Sequence, residues 1–138
     1  MTVKINLKRA QRKVLEAGEY KCNIAVAELR KSKADPKSSN LHLELTVDPE
    51  AHPEIGSVRL FDERSLKEQS WFRVVEFLEA VKGELQAENE EGDFEFDEDE
   101  LVGEPVGVVV EIDDTYDPEN PRNRITAYFP ATDVGVES

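Results

Sequence analysis

Arg30, Lys31, Lys33 and Lys37 crowd into one polar stretch, Arg30-Lys31-Ser32-Lys33-Ala34-Asp35-Pro36-Lys37-Ser38-Ser39, in a 138-residue chain whose formal charge is -14. Cations grouped in this way neutralise anions, and a row of phosphates is the ligand that engages several of them at once. Through Leu45 ten bases (Lys4, Lys8, Arg9, Arg12, Lys13, Lys21, Arg30, Lys31, Lys33, Lys37) face five acids, a net +5, which leaves -19 on the remainder. Screening acts over about 8 Å at physiological salt, whereas a folded domain of this length has a radius of gyration of about 14 Å. A basic patch on one side therefore acts independently of an acidic surface opposite, and the negative total does not exclude an anionic ligand. The same stretch also reads as a solubilising loop whose lysines blunt strand edges.

Residues able to do covalent chemistry are few. Cys22 is the single cysteine, so neither an internal disulfide nor a multi-thiolate metal site is available, and it falls at an inward position with no histidine nearby in sequence. His52 lies in a loop bracketed by Pro49 and Pro53. The acids Asp97-Glu98-Asp99-Glu100 and Asp113, Asp114 and Asp117 lack the ligand-and-glycine spacing of an EF-hand loop, and no phosphate-cradling glycine loop is present. The sequence predicts a binding protein without a cofactor rather than an enzyme.

The elements that must position these residues follow from hydrophobic period. Length predicts one domain, 1–132, with a fraying tail at 133–138. Val3, Ile5 and Leu7 alternate as a short strand. Tyr20, Cys22, Ile24 and Val26 predict a strand over Glu19–Glu28 with its even positions inward and Ala25 and Ala27 outward. Leu41, Leu43, Leu45 and Val47 predict the next strand, and Ser57–Asp62 a third with Val58 and Leu60 inward. A helix follows, capped by Ser65 or Ser70, with Trp71, Val74, Val75, Leu78 and Val81 on its buried stripe and Gly83 at its end. Glu84–Glu100 carries ten acids and no base, which predicts a solvated, mobile loop with Phe94 and Phe96 as tethers. Val106, Val108, Val110 and Ile112, then Ile125, Ala127 and Phe129, predict two final strands. The expected fold is all-β with one helix: a five-stranded OB-fold barrel with the helix between strands three and four. Its outward positions would present Lys21, His42, Arg59, Phe61, Arg124 and Tyr128. The loop cations Arg30, Lys31, Lys33 and Lys37 would lie beside that face, and Tyr116 and Arg122 would come from the last hairpin. Flat side chains among them would stack bases, and cations would meet the backbone of a single strand.

Leu15-Glu16-Ala17-Gly18-Glu19-Tyr20, Glu28-Leu29-Arg30-Lys31-Ser32-Lys33 leading to Asn40-Leu41-His42-Leu43, Leu101-Val102-Gly103, and Arg122-Asn123-Arg124-Ile125 with Tyr128 and Pro130 make up a recurring order and spacing. In these the chain, from about Leu15 to Ala131, resembles the phage-encoded single-stranded-DNA-binding proteins of tailed bacteriophages. The resemblance implies an OB-fold that coats single-stranded DNA in phage replication or recombination without enzymatic activity. It further implies replication or recombination proteins as partners, and either a homo-oligomer or cooperative assembly of copies on DNA. A rival expectation rests on the net charge: an acidic interaction protein or DNA mimic acting through Glu84–Glu100. The lone cysteine and the lack of an apolar leader or membrane-length run predict a cytoplasmic protein, in the host cytoplasm if phage-encoded.

Overall fold

The computed structural model describes residues 1–5, 14–33, 37–56, 58–115, 118–119 and 121–133. Among these, five strands form one sheet: β1 (Gly18–Lys31), β2 (Ser39–Val47), β3 (Arg59–Ser65), β4 (Pro105–Asp113) and β5 (Arg122–Phe129), with the helix α1 (Trp71–Lys82) between β3 and β4. Every neighbouring pair is antiparallel, and the spatial order is β3-β2-β1-β4-β5. The mostly-β architecture with a single helix is that expected from the hydrophobic period. Its backbone ladder is open, with β3 and β5 as the two edges.

β1 organises the sheet. Its first half, Gly18 to Asn23, pairs with β4, and its length from Cys22 to Lys31 pairs with β2. It also carries a bulge: Ile24 faces Leu45 and Val26 faces Glu44, which leaves Ala25 as the extra residue. An inserted residue sharpens the twist and turns every later side chain to the other face. Cys22 and Ile24 are buried as expected, but beyond the bulge Ala27 is buried and Val26 is only partly so, the reverse of simple alternation. A second bulge does the same in β5, where Val109 faces Ala127 and Val110 faces Ile125, with Thr126 between. Ile125 and Tyr128 consequently point inward, while Ala127 and Phe129 are half-buried. Ile112 at the far end of β4 is exposed rather than inward.

Three other expectations are corrected. The third strand begins and ends later than Ser57–Asp62, and it carries Arg64 into the interior. Val3 to Ile5 form no strand and are exposed, while Leu7 lies outside the described residues, as do 134–138. On α1 the buried residues are Val74, Phe77, Leu78 and Ala80, with Val81 packed against them; Trp71 and Val75 face water. Phe77 completes the 3.6-residue stripe from Val74 to Val81, and Trp71 is held outside it by its indole N–H, which donates to the Leu66 carbonyl at 2.8 Å. Ser70 occupies the N-cap position without a side-chain capping bond. Gly83 ends the helix at φ +84°, donating its N–H to Glu79 O at 2.9 Å.

The core lies between the inner face of the sheet and α1, with Ile24, Leu41, Leu43, Leu45, Phe77, Val106, Val108 and Val110 essentially without solvent contact. Burying a side chain the size of Phe77 contributes about 2–3 kcal/mol. The two edges of the ladder meet through side chains. Tyr128 on β5 donates its hydroxyl to Asp62 on β3 at 2.7 Å, and the Arg64 guanidinium lies 4.7 Å from the centre of the Tyr128 ring. Glu76 of α1 accepts from the Tyr128 backbone N–H at 3.4 Å and from Arg64 at 3.5 Å. Phe77 meets the Tyr128 ring edge-on at 4.8 Å. Helix and both edge strands are therefore tied at one point.

The acidic stretch after α1 is anchored by Leu85, Phe94 and Phe96, which pack against the core. Asp97 caps a short 3-10 turn, Glu98–Leu101, by accepting from Asp99 N–H. Gly103 N–H then donates to Ile24 O at 2.8 Å and Ile24 N–H to Glu104 O at 2.9 Å, feeding the chain into β4 beside the first bulge. Asn123 grips the peptide of the buried Leu15 at both ends, accepting its N–H at 2.8 Å and donating to its carbonyl at 2.9 Å. No helix among the described residues is long and apolar enough to cross a membrane.

Candidate nucleic-acid interface

The outer surface of β1, β2 and β3 is set by cross-strand register. Val26, Glu44 and Phe61 form one row; Glu28, His42 and Glu63 form the next; Arg30, Asn40 and Ser65 the one after, and Asn23, Thr46 and Arg59 stand at the other end. Phe61 is 59 % exposed, an aromatic ring open to water with Arg59 two residues away on the same strand face. Such a ring beside a guanidinium is the combination on which an unpaired base stacks while its phosphate is held.

This surface is also an ion network. Arg59 binds Glu44 Oε1 at 2.9 Å. Arg30 binds Glu28 through Nε at 2.7 Å and approaches Glu44 Oε2 at 4.0 Å. His42 places Nε2 at 3.1 Å from Glu44 Oε2 and Nδ1 at 3.1 Å from Glu63 Oε1. A carboxylate only accepts, so a neutral imidazole donates to one of these two partners and only the imidazolium donates to both. The hydrogen bond from His42, and after it that from Arg59, holds the Glu44 carboxyl below its ordinary value. Asn40 donates to the other oxygen of Glu63 at 3.3 Å.

The structure does not bring the expected site residues together in one place. Arg30, His42, Arg59 and Phe61 share the face just described. His42 is not free to stack, because it is buried with both ring nitrogens engaged by carboxylates. Arg30 and Lys31 belong to β1 rather than to a loop, opposite Asn40 and Ser39. The connection is therefore shorter than expected, and Ser32 N–H bonds to Ser38 O at 3.0 Å. Lys31, Lys33 and Lys37 are exposed at this tip, and Lys31 and Lys33 make no ion pair among the described residues. Lys21 lies at the opposite end of β1, paired with Asp48 at 3.5 Å. There Asp48 N–H also bonds to Lys21 O, and His52 Nε2 accepts the Lys21 N–H at 3.0 Å. His52 is thus a structural acceptor in this loop, tilted against Tyr20.

Arg122 and Arg124 are exposed on β5, with β4 and β1 between them and β2, and Arg124 pairs with Glu111 at 3.4 Å. Tyr128, expected outward as a stacking residue, is buried by the Thr126 bulge and committed to Asp62; burial, then the Asp62 charge, pushes its phenol well above the ordinary value. Tyr116 lies outside the described residues. Sequence reading missed the acids of the face, Glu28, Glu44 and Glu63, as partners of its bases. The outward parity of Glu44 with His42 was the available signal, but the pairing with Arg30 and Arg59 depends on register between strands.

Cys22 is buried between β2 and β4, and burial together with the nearby Asp48 charge pushes its thiol up to about 12. At neutral pH it is neither a nucleophile nor a ready metal ligand. Comparison with protein-family models and with curated proteins gives no match to this chain.

Proposed function

We propose that the chain is a non-sequence-specific single-stranded-DNA-binding protein of the phage-encoded kind its sequence resembles, coating DNA in replication or recombination. In this reading the five strands form an OB-type barrel, with side chains rather than a backbone ladder closing it between β3 and β5. The strand order with β1 shared between β2 and β4, and the Tyr128–Asp62 bond joining the edges, support the barrel. The observation that carries the function is the outer face of β1–β3, where the exposed Phe61 ring shares β3 with Arg59, Arg30 lies two rows further along on β1, and the exposed Lys31 and Lys33 follow at the tip of the connection. A strand would stack a base on Phe61 and run its phosphates toward the tip of the β1–β2 connection.

Fluorescence anisotropy of labelled oligo-dT tests this directly. Binding should be strong at low salt and weaken with a log–log slope of about -2 if some three phosphates are neutralised. Lys31→Glu/Lys33→Glu should abolish binding with little change in melting temperature, since neither lysine makes an ion pair among the described residues. Phe61→Ala should weaken it by about 1–3 kcal/mol. A flat signal at low salt rejects the reading. Combined with capture of basic DNA-binding proteins, it would favour the acidic-mimic alternative, in which Glu84–Glu100 occupies a partner's nucleic-acid site.

A further inference from the structure

Three large apolar side chains stand together in water on α1: Trp71 (54 % exposed), Phe72 (71 %) and Val75 (39 %). At positions i, i+1 and i+4 they form one contiguous patch over the first turn of the helix. Its rim is largely acidic. Glu68 lies just before it in the preceding 3-10 turn, and the exposed Glu76 and Glu79 follow Phe72 and Val75 at i+4, with Lys67 and Arg73 as the bases nearest in sequence. A monomer gains nothing by wetting a tryptophan and a phenylalanine side by side, and such patches mark surfaces that another chain covers.

The complement is present in the same molecule. Val3 (81 % exposed) and Ile5 (69 %) flank Lys4, and these three pair with no strand among the described residues; in sequence Lys8, Arg9, Arg12 and Lys13 follow with no acid before Glu16. Apolar and basic, this segment matches an apolar patch with an acidic rim in both respects. Two α1 patches meeting face to face would instead bring Glu68, Glu76 and Glu79 against their own copies. Val3 and Ile5 do not cover the patch of their own molecule, since they and the patch are both exposed.

We propose that the α1 patch of one copy receives the N-terminal segment of a second copy, Val3 and Ile5 lying against Trp71, Phe72 and Val75 with Lys4 directed to the glutamate rim. Donor and acceptor surfaces differ, so the contact is heterologous: each copy gives one segment and receives one, and the assembly either closes into a ring or extends. A segment this short makes a small interface, and association of the free protein is accordingly weak and concentration-dependent.

Trp71 is the only tryptophan of the chain, so its emission reports coverage of the patch directly. Sedimentation equilibrium and tryptophan fluorescence of the full chain, without nucleic acid, form the test. With rising concentration the weight-average mass should climb above 15.6 kDa while the emission maximum moves to shorter wavelength. Phe72→Glu, which damages the acceptor, and Ile5→Glu, which damages the donor, alter exposed side chains. Each alone should weaken association by at least about tenfold. Mixed in equal amounts they should form dimers and nothing larger, because one variant keeps an intact patch and the other an intact segment. The proposal is overturned by a parent chain that stays monomeric with unshifted emission, or by a mixture that fails to associate. It is equally overturned if Ile5→Glu associates like the parent while Phe72→Glu does not, which would assign the patch to contact between helices. No DNA enters the measurement, so none of these outcomes depends on the proposed nucleic-acid site.

Discussion

Glu44 holds both arginines of the outer face, Arg59 at 2.9 Å and Arg30 at 4.0 Å, and takes His42 on the oxygen nearer Arg30. A phosphate arriving at this face must displace that carboxylate, so the arginines exchange one anion for another and release few counterions from solution. Glu44→Gln releases Arg59 but leaves Arg30 with Glu28, and should therefore tighten oligo-dT binding and steepen its salt slope by about 0.7. An unchanged slope in anisotropy titrations would place the phosphates elsewhere. The substitution also has a signature in pH. The folded state keeps Glu44 ionised more firmly than the unfolded chain does, so this stabilisation is complete above the ordinary carboxylate range and is lost as pH falls through the lowered folded value. Between neutral and acidic pH, thermal melts of Glu44→Gln should lose less stability than those of the parent. Parity alone brought Arg59, Phe61 and His42 to a common face in sequence. It did not reveal that the bases there were already paired, because a salt bridge between strands depends on register set far away in the chain.

At the level of elements, the alternation of Leu41, Leu43, Leu45 and Val47 and of Val106, Val108 and Val110 was legible because each run is unbroken and one-sided. The bulges at Ala25 and Thr126 were not, since a single inserted residue leaves composition and local propensity unchanged and is defined only by what stands opposite it. They account for the misplacement of Val26, Ala27, Ala127, Tyr128 and Phe129. The second bulge has a partner feature in β4. Gly107 is buried, and a Cβ built there would come within 2.6 Å of the Phe129 ring, which lies across it. The ring fills space that a side chain would otherwise take. Gly107→Ala should lower stability by about 1–3 kcal/mol through overpacking, measured by urea denaturation, and Phe129→Leu in the same background should recover part of the loss. If Gly107→Ala melts like the parent, β4 and β5 can shift apart cheaply.

For the molecule as a whole, the decisive question is what keeps the edges of an open ladder together. Asp62, Arg64, Tyr128 and Glu76 do so with one buried guanidinium, whose Nη2 has no hydrogen-bond partner among the described residues. Tyr128→Phe removes the bond to Asp62 while leaving ring packing intact, and should cost about 1–2 kcal/mol. The parent should also lose stability in alkali. Its phenol holds the proton more tightly folded than unfolded, so the stabilisation is complete below about pH 10 and disappears as pH climbs toward the raised folded value. Calorimetry across that range should show a steeper decline for the parent than for Tyr128→Phe. Nothing in the sequence announced this cluster, because Asp62 and Tyr128 are 66 residues apart. One quieter feature turns the same molecule into its own clock. Cys22 sits in the strand hydrogen-bonded to both β2 and β4, so its thiol emerges only when the sheet comes apart. With an aromatic disulfide reagent in large excess, the rate at which the single thiol reacts becomes the rate constant of global opening. The time a molecule spends intact can then be read from one colour change, without denaturant and without a label.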